Sequence, residues 1–234
     1  MRTLLKGVTV ALAIFDLDNT LISGDSDHGW GQFLVNKGKV DADLYQQKND
    51  YYLEQYQLGQ LDILEYLEFS LNALTQFPKE ELFALRETFV KEDILPLITQ
   101  KSRDLLKKHR DAGDYLLIIT ATNLFVTEPI AQELGVDDII ATNPEVINGQ
   151  YTGKISGIPS FQEGKVKRLA AWLEEKKLSL EGSYFYSDSH NDLPLLKQVD
   201  YPIAVDADET LTAYAQQQNW PIISLRDDTW PQDA

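Results

Sequence analysis

The sequence contains no cysteine, one methionine and only three histidines. Without cysteine there can be no disulfide bond, thiolate zinc site, iron–sulfur cluster or cysteine nucleophile. The three histidines, at positions 28, 109 and 190, are dispersed along the chain, which disfavours a histidine-rich metal site. No run of about 18 apolar residues is present, so the sequence predicts no transmembrane helix.

Basic residues are also scarce, since 21 Lys and Arg stand against 37 Asp and Glu, for a net charge of −16. Nucleic acids and anionic membranes attract clustered Lys and Arg, so we expect neither as a partner. With 43% hydrophobic and 25% charged residues, the composition is typical of a soluble globular protein. Its 234 residues indicate one domain, or one domain with an insertion, and leave the oligomeric state open.

The N-terminal residues allow two interpretations. Arg2 and Lys6 precede an apolar run, Val8–Phe15, and Ala11-Leu12-Ala13 resembles a signal-peptidase site. For a signal peptide, however, the run is short and is interrupted by Thr9, and its Val, Ile and Phe are typical of a buried strand. We therefore expect a strand here and a cytoplasmic protein.

The chain then changes character twice. Residues 26–90 show no convincing strand pattern, and the helices predicted there are Trp30–Val35, Ala42–Leu58, Leu61–Leu74 and Lys79–Val90. Farther along, strands and helices alternate, which is typical of a doubly wound parallel sheet. The pattern predicts an α/β core formed by residues 1–21 and 96–234. Residues 22–95 are predicted to be an inserted all-helical cap, here called the cap segment.

The alternating part is predicted in detail. Its strands are Tyr115–Ile119, Asp138–Ala141, Ser183–Tyr186, Ile203–Val205 and Ile222–Leu225. Its helices are Lys101–Asp111, Asn123–Leu134, Gly164–Lys177, Asp192–Gln198 and Glu209–Gln217. Residues Glu145–Ile155 predict a hairpin that turns at Asn148-Gly149. The polar tail, Asp227–Ala234, is expected to be mobile.

Two carboxylates follow the first strand directly, in Asp16-Leu17-Asp18-Asn19-Thr20. Ligands of open α/β sheets bind outside the carboxyl ends of strands. Residues spaced by two lie on one side of an extended chain, where two like charges require a proton or a cation. With oxygen ligands and no thiols, Mg²⁺ is the natural cation. The alternative is a turn that the two aspartates merely cap.

A second acidic pair follows a later strand, in Tyr186-Ser187-Asp188-Ser189-His190-Asn191-Asp192. Asp188 and Asp192 could complete a magnesium shell, one of them directly and the other through water or by contacting a ligand of the ion. The alternative is a helix cap ahead of Leu193-Pro194. His190 is interpreted as a loop residue rather than a metal ligand.

Two further residues could bind an anion. Thr120 ends a strand shortly before a helix, and a hydroxyl beside the N–H groups of a helix start can hold a phosphate. Lys165 lies at a helix start, where a cation opposes the helix dipole unless it serves an anion. Taken singly, a helix cap and a surface lysine are the simpler interpretations.

In this order, the four segments resemble the motifs of the haloacid dehalogenase superfamily, specifically its phosphoserine-phosphatase-like branch (subfamily IB) with a helical C1 cap. The resemblance spans nearly the whole chain and implies a phosphatase. It implies that Asp16 is a nucleophile that forms an aspartyl-phosphate, and that Asp18 is the general acid and base. The implied ligands of Mg²⁺ are Asp16, the Asp18 carbonyl and Asp188, supported by Asn191 and Asp192. The implied ligands of the phosphoryl oxygens are Thr120, Ala121 and Lys165.

Departures from that branch bear on the substrate. The branch commonly has glycines after the second-motif hydroxyl, where this chain has Ala121-Thr122-Asn123. It holds the amine and carboxylate of its substrate with a glutamate and a cap arginine. The matching acidic position here is Asp25, with Asp27 nearby, and no arginine occurs between residues 3 and 85. From residue 22 to 95 there are 14 acidic and 6 basic residues.

These departures favour a small phosphate ester with a cationic end and no carboxylate, such as histidinol phosphate. The alternative for the cap acids is a solvated surface without contact to substrate. The alternative activities are phosphoserine phosphatase, a protein phosphatase, which a closing cap would disfavour, and a non-catalytic phospho-ligand-binding protein. The second aspartate, Asp18, argues against a dehalogenase, because a halide leaving group needs no such acid.

Overall fold

The structure, a computed structural model, describes residues 11–226. Its strands are β1 (Leu12–Phe15), β2 (Tyr115–Asn123), β3 (Asp138–Thr142), β4 (Pro144–Ile147), β5 (Gln150–Ile155), β6 (Tyr184–Ser187), β7 (Tyr201–Val205) and β8 (Ile222–Ile223). Its helices are α1 (Ser26–Asn36), α2 (Ala42–Gln57), α3 (Ile63–Asn72), α4 (Lys79–Phe89), α5 (Gln100–Ala112), α6 (Leu124–Leu134), α7 (Glu163–Lys176), α8 (Leu193–Leu196) and α9 (Glu209–Gln218).

Six of the described strands form one parallel sheet in the order β3-β2-β1-β6-β7-β8. From β1 the chain builds outward first to one edge and later to the other, which is a doubly wound arrangement. Helices α1–α4 are inserted between β1 and β2, whereas β4 and β5 form a separate antiparallel hairpin. The predicted fold class is confirmed, and the domain limits at residues 22 and 95 stay a prediction.

Apolar side chains cover both faces of the sheet, as a parallel sheet requires. In β1 they alternate, because Ala13 and Phe15 join one apolar cluster while Leu12 and Ile14 join the other. The first cluster continues into the cap segment, where it includes Trp30 and Phe89. The inserted helices therefore share an apolar core with one face of the sheet.

Two predicted elements have different bounds in the structure. Helix α1 begins at Ser26 rather than Trp30, because the side chain of Asp25 accepts hydrogen bonds from the amides of Asp27 and His28 and so caps the helix. Strand β2 continues to Asn123, and that side chain caps α6. The other predicted helices and strands are present with small shifts at their ends.

The strand predicted over Val8–Phe15 is confirmed from Leu12 onward, where Leu12 and Ala13 are fully buried in the centre of the sheet. Residues 8–10 and the tail Asp227–Ala234 lie outside the described residues. Within residues 11–226, no helix has both the length and the apolar character needed to cross a membrane.

The start of α7 tests this packing. A Cβ atom at Gly164 would lie 2.1 Å from the carbonyl oxygen of Pro159, so Gly164→Ala must displace backbone. We expect a loss of about 1–3 kcal/mol in the free energy of unfolding, measured by urea denaturation. The matched control is Gly29→Ala in α1, where a Cβ meets Phe89 at an ordinary 3.5 Å. That control should be neutral or slightly stabilising, and equal losses in the two variants would contradict this account.

Candidate active site

The predicted site residues meet at the carboxyl ends of three neighbouring strands. Asp16 follows β1, Thr120 lies in the last part of β2, and Asp188 follows β6. Because β1 pairs with both β2 and β6 in parallel, these strand ends lie side by side. Lys165, near the start of α7, reaches the same point.

Lys165 lies between two carboxylates in the interior. Its Nζ is 2.7 Å from Oδ1 of Asp16 and 2.8 Å from a carboxylate oxygen of Asp192. The three side chains are at most 5% exposed. Burial alone would lower the pKa of Lys165, but Asp16 and Asp192 outweigh it and raise that pKa above the usual value. The lysine is therefore a fixed positive charge at the centre of the site.

The carboxylates around this lysine outnumber it. Burial raises the pKa of Asp16 to about 7 although Lys165 opposes the shift, and Asp192 and Asp18 add to it. Burial, followed by repulsion from Asp16 and Asp192, raises the pKa of Asp188 well above its usual range. The hydroxyl of Thr20 donates to Asp188 over 3.1 Å. The negative charge of these carboxylates is therefore not balanced by Lys165, and an additional positive charge would stabilise their ionised forms.

The carboxylate of Asp18 is held from two sides. Its Oδ1 accepts the backbone N–H of Ser26 at 2.6 Å, and its Oδ2 accepts the hydroxyls of Thr122 at 2.8 Å and Thr120 at 3.3 Å. Burial, followed by repulsion from Asp25, raises the pKa of Asp18 to about 6. A carboxyl group with such a pKa is suited to both release and uptake of a proton near neutrality.

The segment after β6 connects the site to the cap segment. Asp192, predicted to support a metal, accepts hydrogen bonds from Lys165 and from the hydroxyl of Ser187. The side-chain amide of Asn191 donates to the carbonyl oxygen of Tyr56 at 3.1 Å. His190, predicted to be a loop residue, bonds through Nδ1 to Asp208 at 2.8 Å.

A cavity opens beside these residues and extends under the cap segment. Among the described residues that line it, none is Lys or Arg. Its acidic and aromatic lining residues are Asp16, Asp18, Asp25, Asp27, Tyr52, Tyr56 and Tyr66. Thr120 and Ala121, predicted to hold phosphate, lie in the same lining.

The two predicted specificity residues have different surroundings. Oδ1 of Asp25 is occupied by two backbone amides of α1. Asp27 instead accepts the hydroxyl of Tyr66 and, at 3.4 Å, the amide of Asn123. Burial, followed by repulsion from Asp25, raises the pKa of Asp27 to about 8. Within residues 11–226, no ion pair joins Asp27 to a basic side chain, so the cavity contains a carboxyl group that lacks a counter-ion.

Several residues of the site were not predicted. Thr20, Thr122 and Asn123 lie within or beside the predicted motifs, yet their partners are distant in sequence. Their polar side chains at strand ends were a usable signal. Tyr56 and Tyr66 reach the cavity from α2 and α3, and nothing in the helical pattern distinguished them from core residues.

Comparison with known proteins agrees with this geometry. The family model of the haloacid dehalogenase-like hydrolases matches residues 13–197. The chain belongs to this family. The family match, together with the phosphatases among the relatives below, confirms the prediction of a phosphatase of the haloacid dehalogenase type.

Several known proteins are similar to this chain over most of its length. A histidinol-phosphatase from Neisseria meningitidis is 44% identical over 219 residues, which cover 92% of this chain and 99% of that protein. The phosphoserine phosphatase SerB1 from Mycobacterium tuberculosis is 30% identical over 92% of this chain and 71% of its own length. The crystal structure of a protein of unknown function from Bordetella pertussis Tohama I is 43% identical, with a TM-score of 0.88 over 94% of this chain and 100% of that one.

The half-buried carboxyl group of Asp27, which lines the cavity, predicts a pH-dependent stability. Because its pKa is about 8 in the folded chain and near 3.8 otherwise, its protonated form stabilises the fold below about pH 4, and this contribution is lost as pH rises through 8. Asp27→Asn removes the titration. The advantage in Tm of this variant over the native chain should therefore grow from about pH 5 to about pH 8 by at least about 2 °C. Calorimetry that shows a constant difference would contradict the assignment.

Proposed function

We propose that the protein is a Mg²⁺-dependent phosphomonoesterase that acts on a small ester through an aspartyl-phosphate intermediate. Membership of the haloacid dehalogenase-like hydrolases supports the reaction class. The position of Asp16 beside Lys165, with Asp18 two residues on, supports Asp16 as the nucleophile and Asp18 as the general acid and base. A non-catalytic binding protein would not need the second, separately held carboxyl group of Asp18.

The residues present fit a magnesium ion. Across residues 11–226, no group of three or more His, Cys, Asp or Glu side chains is arranged to hold a metal by itself. Mg²⁺, however, usually takes one or two carboxylates and keeps several waters. The carboxylates of the buried Asp16 and the half-buried Asp188 repel each other and lack a sufficient counter-charge. With the backbone carbonyl of Asp18, they would hold the ion, which when bound neutralises charge on the phosphoryl group.

The proposed reaction has two steps carried by the chain's own residues. In the first, a carboxylate oxygen of Asp16 attacks phosphorus, the bond from phosphorus to the ester oxygen breaks, and Asp18 gives its proton to the departing alkoxide. In the second, Asp18 takes a proton from water as that water attacks the aspartyl-phosphate, which releases inorganic phosphate and restores Asp16.

Lys165 and Thr120 would bind the phosphoryl oxygens during both steps. The Lys165 ammonium group already lies 2.7 Å from the nucleophilic carboxylate, so it is in place to offset negative charge as the phosphoryl group arrives. The backbone N–H of Ala121 would serve the same group. We infer these roles from position together with the family resemblance.

One observation carries the proposal for the substrate: the cavity is lined by four aspartates and, within the described chain, by no Lys or Arg. A cationic group beside Asp27 would offset the cost of burying that carboxylate and favour its ionised form. The substrate is therefore a phosphorylated amino alcohol, and histidinol phosphate is the named candidate. The similarity to a histidinol-phosphatase supports this choice.

Phosphoserine is the second candidate, and the similarity to the phosphoserine phosphatase from Mycobacterium tuberculosis favours it. Its carboxylate would enter a cavity whose described lining has no Lys or Arg, and the one histidine there, His28, is bonded to Asp50. An unpaired buried charge costs several kcal/mol, so we expect phosphoserine to be a poorer substrate than the amino-alcohol ester.

The reaction class is tested with a panel of small phosphate esters. The protein should release phosphate when Mg²⁺ is supplied and stop when the metal is removed by a chelator. Asp16→Asn removes the nucleophile and should lower kcat at least about 10³-fold, whereas Asp41→Asn, at the cap of α2, should not. Full turnover in chelator would contradict the metal, and near-native turnover by Asp16→Asn would contradict the covalent step.

The substrate class is tested by comparing charged and neutral esters. Asp27→Asn should lower kcat/KM for histidinol phosphate about tenfold more than for p-nitrophenyl phosphate, because only the former presents a cation to the cavity. Asp25→Asn retains the helix cap, and its losses in kcat/KM for the two esters should differ less than those of Asp27→Asn. The matched control Asp41→Asn removes the same charge outside the cavity. If phosphoserine has the highest kcat/KM of the panel, the second candidate replaces the first.

A further inference from the structure

The contact between Thr122 and Asp18 joins residues 104 positions apart in the chain. The Thr122 hydroxyl is buried and donates to Oδ2 of Asp18 at 2.8 Å. On the other side, the amide of Ser26 donates to Oδ1. One anchor comes from the sheet and the other from the first turn of α1, so together they fix the rotation of the carboxyl group.

Strand geometry explains how two hydroxyls reach one carboxylate oxygen. Residues spaced by two in a strand lie on the same face, so Thr120 and Thr122 both approach Oδ2 of Asp18. The bond from Thr120 is longer, at 3.3 Å, and the hydroxyl oxygen of Thr120 also accepts the backbone N–H of Thr122.

The two threonines have different tasks in the proposed reaction. If the hydroxyl of Thr120 turns to a phosphoryl oxygen, Asp18 keeps the hydroxyl of Thr122 and the amide of Ser26. A carboxyl group has about four lone-pair positions, so these two bonds leave room for the proton that Asp18 must carry. Thr122 is thus the hydroxyl that can remain on Asp18 throughout the cycle.

We propose that Thr122 is a positioning residue that aims the carboxyl group of Asp18 at the ester oxygen and then at the attacking water. The inference rests on the proposed function, since it assigns Asp18 the proton transfers. Without the hydroxyl, the carboxyl group keeps one anchor and can rotate away from the leaving oxygen. Misplaced catalytic groups lose rate even when binding is unchanged.

The dependence of rate on the leaving group separates this role from a structural one. An alkyl phosphate releases an alkoxide that needs the proton of Asp18, whereas p-nitrophenyl phosphate releases a phenolate that leaves without one. Because kcat/KM reports events up to the first irreversible step, it isolates departure of the leaving group from later hydrolysis. A general disturbance of the site would lower kcat/KM equally for the two esters.

The experiment compares Thr122→Val, which replaces the hydroxyl with a methyl group, with Thr122→Ser, which keeps it. Loss of a hydrogen bond to a charged group corresponds to about a 10- to 100-fold effect. We expect that loss in kcat/KM for histidinol phosphate and less than about threefold for p-nitrophenyl phosphate. Thr122→Ser should restore both values, and the KM of Thr122→Val for histidinol phosphate should change little.

The matched control is Thr127→Val in α6, which removes another buried hydroxyl, one that donates to the carbonyl oxygen of Asn123. It should leave both kcat/KM values unchanged. If Thr122→Val does not fold, as judged by circular dichroism, Thr122→Ala removes the hydroxyl without adding a methyl group and takes its place in the comparison.

Equal losses on the two esters, or no loss on either, would overturn the inference. Failure to be rescued by Thr122→Ser would do the same, because serine supplies the same donor. Failure of the proposed function has a different signature: the native chain would hydrolyse neither ester, or Asp16→Asn would remain active.

Discussion

The ammonium group of Lys165, buried between Asp16 and Asp192, is the interaction on which the arrangement of the site depends. The three residues of this charged cluster come from different elements: Asp16 from the end of β1, Lys165 from the start of α7 and Asp192 from the turn after β6. A buried charge is tolerable only when it is paired, so loss of one member leaves the others in an apolar interior without compensation. The sheet and α7 must therefore pack together correctly for Lys165 to pair with both carboxylates.

This one lysine does not balance the acids around it. Asp16 and Asp188 have raised pKa values because burial, followed by repulsion from neighbouring carboxylates, disfavours their ionised forms. Farther into the cavity, burial and repulsion from Asp25 likewise raise the pKa of Asp27. We interpret this excess of carboxylates as the basis for binding two cations from solution. One is the proposed metal ion near the strand ends, and the other is the cationic end of the proposed substrate under the cap segment.

The sequence was informative where function depends on local order along the chain. Asp16 and Asp188 each follow an apolar strand and Thr120 lies near the end of another, and parallel strands bring such residues to one edge of the sheet. It was less informative where a side chain has a distant partner. Asp25 was predicted as a possible specificity residue, and the sequence did not show that it also caps α1. The hydroxyl of Thr122 reaches Asp18 only because β2 lies beside β1 in this register. Local propensity cannot reveal such pairs, because tertiary packing creates them.

The strand order also determines when the fold can form on the ribosome. Of the six strands in the sheet, β1 is synthesised first, yet it lies in the centre, between β2 and β6. Ala13 pairs with Tyr184, so the second neighbour of β1 emerges about 170 residues later, roughly 10–30 s at ordinary rates of translation. During that interval one edge of an apolar strand has no partner, and unpaired edges promote aggregation. Expression yield should therefore depend on chaperones and on the pace of synthesis more than the stability of the finished fold suggests.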